Sequence, residues 1–70
     1  STLSQGSEGG EVTALQALLN IKAPAGTNKI GIDGKFGTKT LGAVQDFQNR
    51  AGLAADGIVG PLTWEALIKA

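Results

Sequence analysis

Two eight-residue stretches decide the fold of this 70-residue chain: DGKFGTKT at residues 33–40 and DGIVGPLT at residues 56–63. Each contains, in the same order, an Asp-Gly pair, a bulky apolar residue, a second glycine and a threonine. The Asp side chain can accept backbone N–H groups across such a turn, and the first glycine can adopt a positive φ. We expect the second glycine to allow a close approach to the following helix, and Phe36 and Val59 to anchor the turns in the core.

A helical pattern follows each of these turns, and another precedes them both. The first predicted helix ends near Asn20, and the second runs from about residue 38 to residue 51. Gly52 and Leu53 then predict a Schellman ending, with glycine at C′ and an apolar residue after it. Pro61 opens the third helix, because proline suits the first helical position. The predicted core stripes are Val12, Leu15, Leu18 and Leu19; Leu41, Val44, Phe47 and Ala51; and Trp64, Leu67 and Ile68.

The connection from Lys22 to Ile32 is rich in glycine, proline, threonine and asparagine. Ile30 and Ile32 alternate with a glycine, which allows a short extended piece there. No other stretch has a strand pattern. We therefore predict an all-α fold with one domain over residues 1–70: a small three-helix bundle with two turn-helix pseudo-repeats.

The composition excludes several classes of function. The chain has no cysteine and no histidine, so it offers neither a disulfide nor the thiolate and imidazole ligands of a structural zinc site, and we expect no metal and no cofactor. Six basic residues balance six acidic ones, which disfavours nucleic acid and anionic membrane surfaces as partners. A monomer is expected. The start at Ser1, without methionine, is interpreted as a processed piece of a larger protein.

The paired carboxylates of the two turns, Asp33 and Asp56, are the most obvious catalytic candidates, since a glycosidase needs such a pair. Their equivalent positions in the repeat favour one shared role in bracing the turns, because acid and base roles require different environments. A calcium loop is disfavoured, because Lys35, Gly37 and Lys39 fill the alternate positions where oxygen ligands are needed. Without a Ser–His or Cys–His arrangement, no catalytic residue is predicted.

Three groups of motifs, covering nearly the whole chain, carry a family resemblance. They are Leu3, Gly6, Gly9, Val12 and Leu15-Gln16; Asp33-Gly34, Phe36-Gly37, Thr40, Ala43-Val44 and Phe47-Gln48; and Gly52-Leu53, Asp56-Gly57, Val59-Gly60-Pro61, Thr63-Trp64 and Ala66-Leu67. In this combination the chain resembles the type 1 peptidoglycan-binding domain found beside bacterial and phage cell-wall hydrolases. One departure is a longer connection before Asp33, which could alter one rim of a ligand groove.

The resemblance implies a non-catalytic module that binds peptidoglycan, through its glycan strand or its stem peptide. Such a module would target a tethered catalytic domain to the cell wall, in an extracellular or periplasmic location or as part of a phage endolysin. The alternative is a protein–protein interaction or prodomain-like module that uses the same helical bundle. A stand-alone hydrolase and a helix-turn-helix DNA-binding domain are less favoured, because the catalytic groups and the basic charge are missing.

Polar side chains on the helices are the predicted ligand contacts. Amide groups suit N-acetyl groups, hydroxyls and peptide amides, because they donate and accept hydrogen bonds without carrying a charge. An aromatic face can also stack on a sugar. The predicted ligand-binding residues are Gln16, Thr40, Gln45, Gln48, Asn49 and Trp64.

Each of these residues also has a structural interpretation. Gln16 and Gln48 could instead hydrogen-bond loop backbone and hold the helices in place. Thr40 could cap a helix, and Trp64 could pack in the core or at its edge. Arg50 could pair with a stem-peptide carboxylate, although a solvated helix end is the favoured interpretation. We expect Gln48→Ala to weaken binding with the fold kept.

Overall fold

Three helices form the architecture of the computed structural model, which describes residues 2–24, 26 and 29–69. They are α1 (Gly10–Lys22), α2 (Thr38–Arg50) and α3 (Pro61–Ile68), and α1 packs against both of the others. Within the described residues there is no strand, only two isolated antiparallel bridges. The prediction of a small all-α bundle is confirmed.

The core consists of apolar residues from all three helices, both turns and the N-terminal segment. Phe36 and Val59 are buried, as predicted from their equivalent positions in the two turns. Trp64 is half-buried and packs against this core. The buried apolar residues are Leu3, Val12, Leu15, Leu19, Phe36, Val44, Phe47, Val59 and Leu67.

The end of α2 has the predicted Schellman geometry. Gly52 adopts φ 76°, a conformation that costs glycine little. The Leu53 N–H donates to the Gln48 carbonyl at 2.8 Å, and the Gly52 N–H donates to the Asn49 carbonyl at 3.2 Å. These two bonds satisfy carbonyls that the end of the helix would otherwise leave without partners.

Several details differ from the sequence-based expectations. α1 continues past Asn20 to Lys22. Ala51 is exposed because α2 ends before it, and Ile68 is 70% exposed because it lies about 100° around α3 from the buried Leu67. The segment around Ile30 forms no strand, because the Asn20 side chain takes up its backbone groups.

The N-terminal segment, residues 2–9, ties the two turns to each other. Leu3 exchanges two backbone hydrogen bonds with Val59, at 3.0 and 2.8 Å. The Gly6 N–H donates to the Phe36 carbonyl, and the Phe36 N–H donates to the Ser7 carbonyl, each at 2.9 Å. One N-terminal segment therefore holds both turns against the bundle.

The described helices are short. α1 and α2 have 13 residues each, well below the roughly 20 needed to cross a bilayer. Over the residues described, no helix meets the length and hydropathy required of a membrane span.

Candidate functional site

The amide of Gln16 fastens the first turn. Its Nε2 shares two N–H donors among three acceptors: Asp33 Oδ1 at 2.9 Å, the Lys35 carbonyl at 3.0 Å and Thr40 Oγ1 at 3.0 Å. Its Oε1 accepts the Gly34 N–H at 2.9 Å. With Gln16 only 1% exposed, we call these five residues the first amide clamp.

The amide of Gln48 makes the same set of contacts at the second turn. Its Nε2 donates to Asp56 Oδ1 at 3.2 Å, to the Ile58 carbonyl at 2.9 Å and to Thr63 Oγ1 at 3.1 Å. Its Oε1 accepts the Gly57 N–H at 3.0 Å, and these five residues form the second amide clamp. α1 and α2 therefore each hold the turn that starts the next helix.

The turn chemistry predicted for the aspartates is present. Asp33 Oδ1 accepts the Lys35 N–H at 3.0 Å, and Asp56 Oδ1 accepts the Ile58 N–H at 2.9 Å, so each carboxylate closes an Asx turn. The hydrogen bond from Gln16, followed by the one from the Lys35 backbone, holds the pKa of Asp33 below its usual value. Both carboxylates therefore have the same structural role, which is to close an Asx turn.

Two expectations about these turns were wrong. Thr40 does not cap α2, because the N-cap is Gly37 and lacks a side-chain hydrogen bond; the threonine hydroxyl accepts from the clamp amide instead. The second glycines make no close approach, since a Cβ added at Gly37 or Gly60 would meet no heavy atom within 4 Å. The first glycines do need to be glycine, because Gly34 and Gly57 both adopt φ 74°.

A groove of about 490 Å³ lies between the C-terminal half of α1 and the outer face of α2. We call it the α1–α2 groove. Its size falls within the range of small-molecule sites. Its lining combines aliphatic, small and charged residues: Leu19, Asn20, Ala23, Lys29, Ile30, Gly31, Thr38, Lys39, Gly42, Ala43, Asp46 and Arg50.

Each turn also borders a smaller cavity. The first turn pocket, of about 320 Å³, adjoins the α1–α2 groove and shares four of its lining residues, Ile30, Gly31, Thr38 and Lys39. The second turn pocket, of about 210 Å³, has Ile58 and Leu62 where the repeat places Lys35 and Lys39 in the first. The two pockets thus have related backbones, and the second is the more apolar of the two.

The structure does not bring the predicted ligand residues together. Gln16 and Thr40 border the first turn pocket, and Gln48 borders the second. Gln45, Asn49 and Trp64 line none of these three cavities. The hydrogen bonds support the structural interpretation of Gln16 and Gln48, while a ligand contact by any of the six stays a prediction.

Of the features that build the α1–α2 groove, sequence reasoning singled out only Arg50 and the long connection before Asp33, and it missed the other lining residues. The Asn20 amide pairs with both backbone groups of Ile30, at 2.9 Å each, and so positions the wall that the long connection contributes. Lys39, Asp46 and Arg50 stand at helical spacing beside the small Gly42, a charged stripe next to a gap. In the sequence, this charged stripe beside a glycine was the feature that could have indicated the groove.

No group of three or more histidine, cysteine or carboxylate side chains that could hold a metal ion occurs in the part of the chain that the structure describes. Every buried side-chain nitrogen and oxygen there has a hydrogen-bond partner. The buried polar atoms are thus satisfied by hydrogen bonds within the fold.

A family model described as a peptidoglycan binding domain matches residues 8–67. This range contains both amide clamps and the α1–α2 groove.

Three known proteins with similar sequence or structure are larger than this chain. It is 54% identical over 66 residues to an uncharacterised protein of Kitasatospora aureofaciens, covering 93% of this chain and 53% of that protein. It is 48% identical over 69 residues to the zinc D-Ala-D-Ala carboxypeptidase of Streptomyces albus G, covering 97% and 26%. A fused Zn-dependent amidase/peptidase/peptidoglycan-binding domain-containing protein from Clostridium acetobutylicum has a similar fold, with a TM-score of 0.89, 37% identity and coverage of 100% and 30%. The chain therefore spans about half or less of these proteins.

Proposed function

The chain belongs to the family of peptidoglycan binding domains, and from this premise we propose that it holds an attached cell-wall hydrolase on its substrate. It is a peptidoglycan-binding module and not itself a catalytic one. The observation that carries the proposal is the family match, which runs through all three helices and both turns.

Two relatives support assigning hydrolysis to another part of such a protein. The match to this chain covers only 26% of the protein named a zinc D-Ala-D-Ala carboxypeptidase and 30% of the fused amidase/peptidase protein. Tethering would raise the effective concentration of both parts at a polymeric substrate, so modest affinity would suffice. The module would work as a monomer at the cell wall, in an extracellular or periplasmic location.

The ligand would occupy the α1–α2 groove. Among the cavities described, it is the largest, and its wall at Ile30 is positioned by two hydrogen bonds from Asn20. None of the six predicted ligand residues lines this groove, so a ligand there would meet Gln16 and Thr40 only by reaching into the adjoining first turn pocket. Contacts at Gln45, Gln48, Asn49 and Trp64 would lie elsewhere or not form. Neither nucleic acid nor membrane is included among the proposed partners.

Sedimentation with purified sacculi tests this function. The module should be retained in the pellet, while an unrelated small helical protein of the same net charge stays in the supernatant. Muropeptide release measured in the same samples should not rise above the buffer blank. Absence of retention contradicts wall binding, and soluble fragments contradict a non-catalytic module.

A protein-binding module is the second candidate. Ile58 and Leu62, both at the second turn pocket, are 46% and 70% exposed and would suit an apolar partner surface. If Leu62→Ser leaves retention on sacculi unchanged, this surface has no part in wall binding; loss of retention would assign it the ligand contact instead.

A further inference from the structure

The charge around the α1–α2 groove is unbalanced, although the whole chain is neutral. Its lining includes the cations Lys29, Lys39 and Arg50 and one carboxylate, Asp46. That carboxylate is already paired, since its Oδ2 lies 2.9 Å from Arg50 Nε. No described residue forms an ion pair or side-chain hydrogen bond with either lysine. The groove therefore presents positive charge without an internal partner.

Arg50 is held in place by contacts within the chain, and some of its N–H donors remain unused. Besides the bond to Asp46, its Nη1 donates to the Lys22 carbonyl at 3.4 Å, and its Cζ lies 5.9 Å from the centre of the Phe47 ring. A guanidinium has five N–H donors, so about three remain for a ligand. A fixed planar fork of this kind suits a carboxylate.

The repeat shows that the fold does not require the lysines. Lys35 and Lys39 stand at the positions that Ile58 and Leu62 occupy in the second turn-helix unit. The same backbone design thus accepts exposed aliphatic side chains there. A requirement of the turn cannot explain the basic residues, whereas an anionic ligand at the groove and its adjoining pocket would.

The rest of the groove does not resemble a sugar platform. Its apolar part is aliphatic, and none of the three aromatic residues of the chain lines it. The aliphatic residues are Leu19, Ala23, Ile30 and Ala43. Sugar rings commonly stack on aromatic faces, whereas aliphatic surface suits small aliphatic side chains such as alanine methyl groups.

We infer that the α1–α2 groove recognises the carboxylate-bearing stem peptide of peptidoglycan and not the N-acetylated glycan strand. This inference rests on the peptidoglycan-binding function proposed above. Arg50 takes one carboxylate through its unused N–H donors, Lys39 and Lys29 attract further carboxylates, and the aliphatic floor contacts the alanine side chains. Because these charge contacts lie at a solvent-exposed rim, binding weakens as salt concentration rises.

Ligand preparations separate the possible sources of negative charge. The sacculi are first stripped of covalently attached anionic polymers with hydrofluoric acid, and part of them is then freed of stem peptides with an amidase. The module should bind the stripped sacculi and not the peptide-free glycan strands. Soluble stem peptides from the digest should displace it, and the same peptides with amidated carboxylates should not.

Variants locate the site on the module. Lys39→Gln and Arg50→Gln should each weaken retention on stripped sacculi about three- to tenfold, and Arg50→Lys should recover only part of the loss. Lys69→Gln is the matched control, because Lys69 makes an i,i+4 pair with Glu65 on α3, away from the groove. Its retention should equal that of the parent module. Melting temperatures confirm that each variant is folded.

The outcomes distinguish this inference from the proposed function. Equal binding to glycan strands and stripped sacculi, or unchanged binding by Lys39→Gln and Arg50→Gln, would overturn stem-peptide recognition and leave wall binding intact. Binding that disappears after the hydrofluoric acid treatment would assign the groove to the anionic polymers instead. Absence of binding to both the stripped sacculi and the glycan strands would overturn the proposed peptidoglycan binding as well.

Discussion

At the scale of single residues, the two clamp glutamines show how a polar side chain can organise a core. Gln48 is 1% exposed, and its amide meets an aspartate, a carbonyl, a hydroxyl and a glycine N–H. A buried polar group costs stability when it lacks partners and contributes when it has them. The clamp therefore fixes the turn geometry and also satisfies the backbone groups that the turn exposes.

Gln48→Ala should reduce the free energy of unfolding by about 2–4 kcal/mol, because it leaves the Gly57 N–H and the Ile58 carbonyl without their partner. Gln45→Ala, on the exposed face of the same helix, should change it by less than about 0.5 kcal/mol. Urea unfolding measures both. Equal midpoints for the two variants would contradict the clamp. This expectation replaces the one from sequence, in which Gln48→Ala kept the fold.

Asp33 should give the first turn a dependence on pH. Its folded pKa lies below its usual value of about 3.9, so its stabilising contribution is complete above that value and is lost as the pH falls through the folded pKa. Asp33→Asn should therefore show a smaller drop in melting temperature between about pH 5 and pH 2 than the parent protein. Glu65→Gln is the surface control, and it should lose as much as the parent over this range.

At the scale of helices and connections, the sequence predicted the elements well and their mutual contacts poorly. The end of α2 followed from Gly52 to within a residue, and the start of α3 followed from Pro61, because these are local signals. The partner of Asp33 could not be found in this way, since Gln16 lies 17 residues earlier and only the packing of α1 brings it to the turn. The α1–α2 groove could not be predicted for the same reason, because its lining comes from α1, α2 and the connection between them.

Asn20→Ala should loosen the wall of the groove without unfolding the bundle. The variant loses two hydrogen bonds to the backbone of Ile30, which predicts a loss of about 1–2 kcal/mol and faster hydrogen exchange at the Ile30 amide. Asn49→Ala provides the matched control, because Asn49 is exposed on α2. An Ile30 amide that exchanges at the parent rate would show that the asparagine does not hold this wall.

At the scale of the whole molecule, the neutral total conceals an uneven distribution of charge. Lys29, Lys35, Lys39 and Arg50 line the α1–α2 groove and the first turn pocket, whereas the second turn pocket has no basic residue. The net charge of the sequence includes these residues but does not show that they lie close together. Surface charge acts over roughly a Debye length, about 8 Å at physiological salt, so placement matters more than the sum.

The bundle should unfold as one unit, because a single N-terminal segment bonds to both turns and one core joins all helices. Gln16→Ala, in the first clamp, should therefore shift the transition seen by Trp64 fluorescence in α3 as much as that seen by far-UV circular dichroism. Each kcal/mol lost should lower the midpoint by about 4–8 °C. Separate midpoints for the two signals would mean that the turn-helix units unfold independently.

The unequal spacing of the two clamps has an evolutionary consequence. The glutamine and aspartate are separated by 17 residues in the first clamp and by 8 in the second, yet the amide contacts are the same. Because Asn20 and Gln16 fasten the far end of the first connection, chain length before Ile30 is free to vary at little entropic cost. That connection borders the groove, so insertions and deletions there can change ligand preference while the clamped turns keep their geometry.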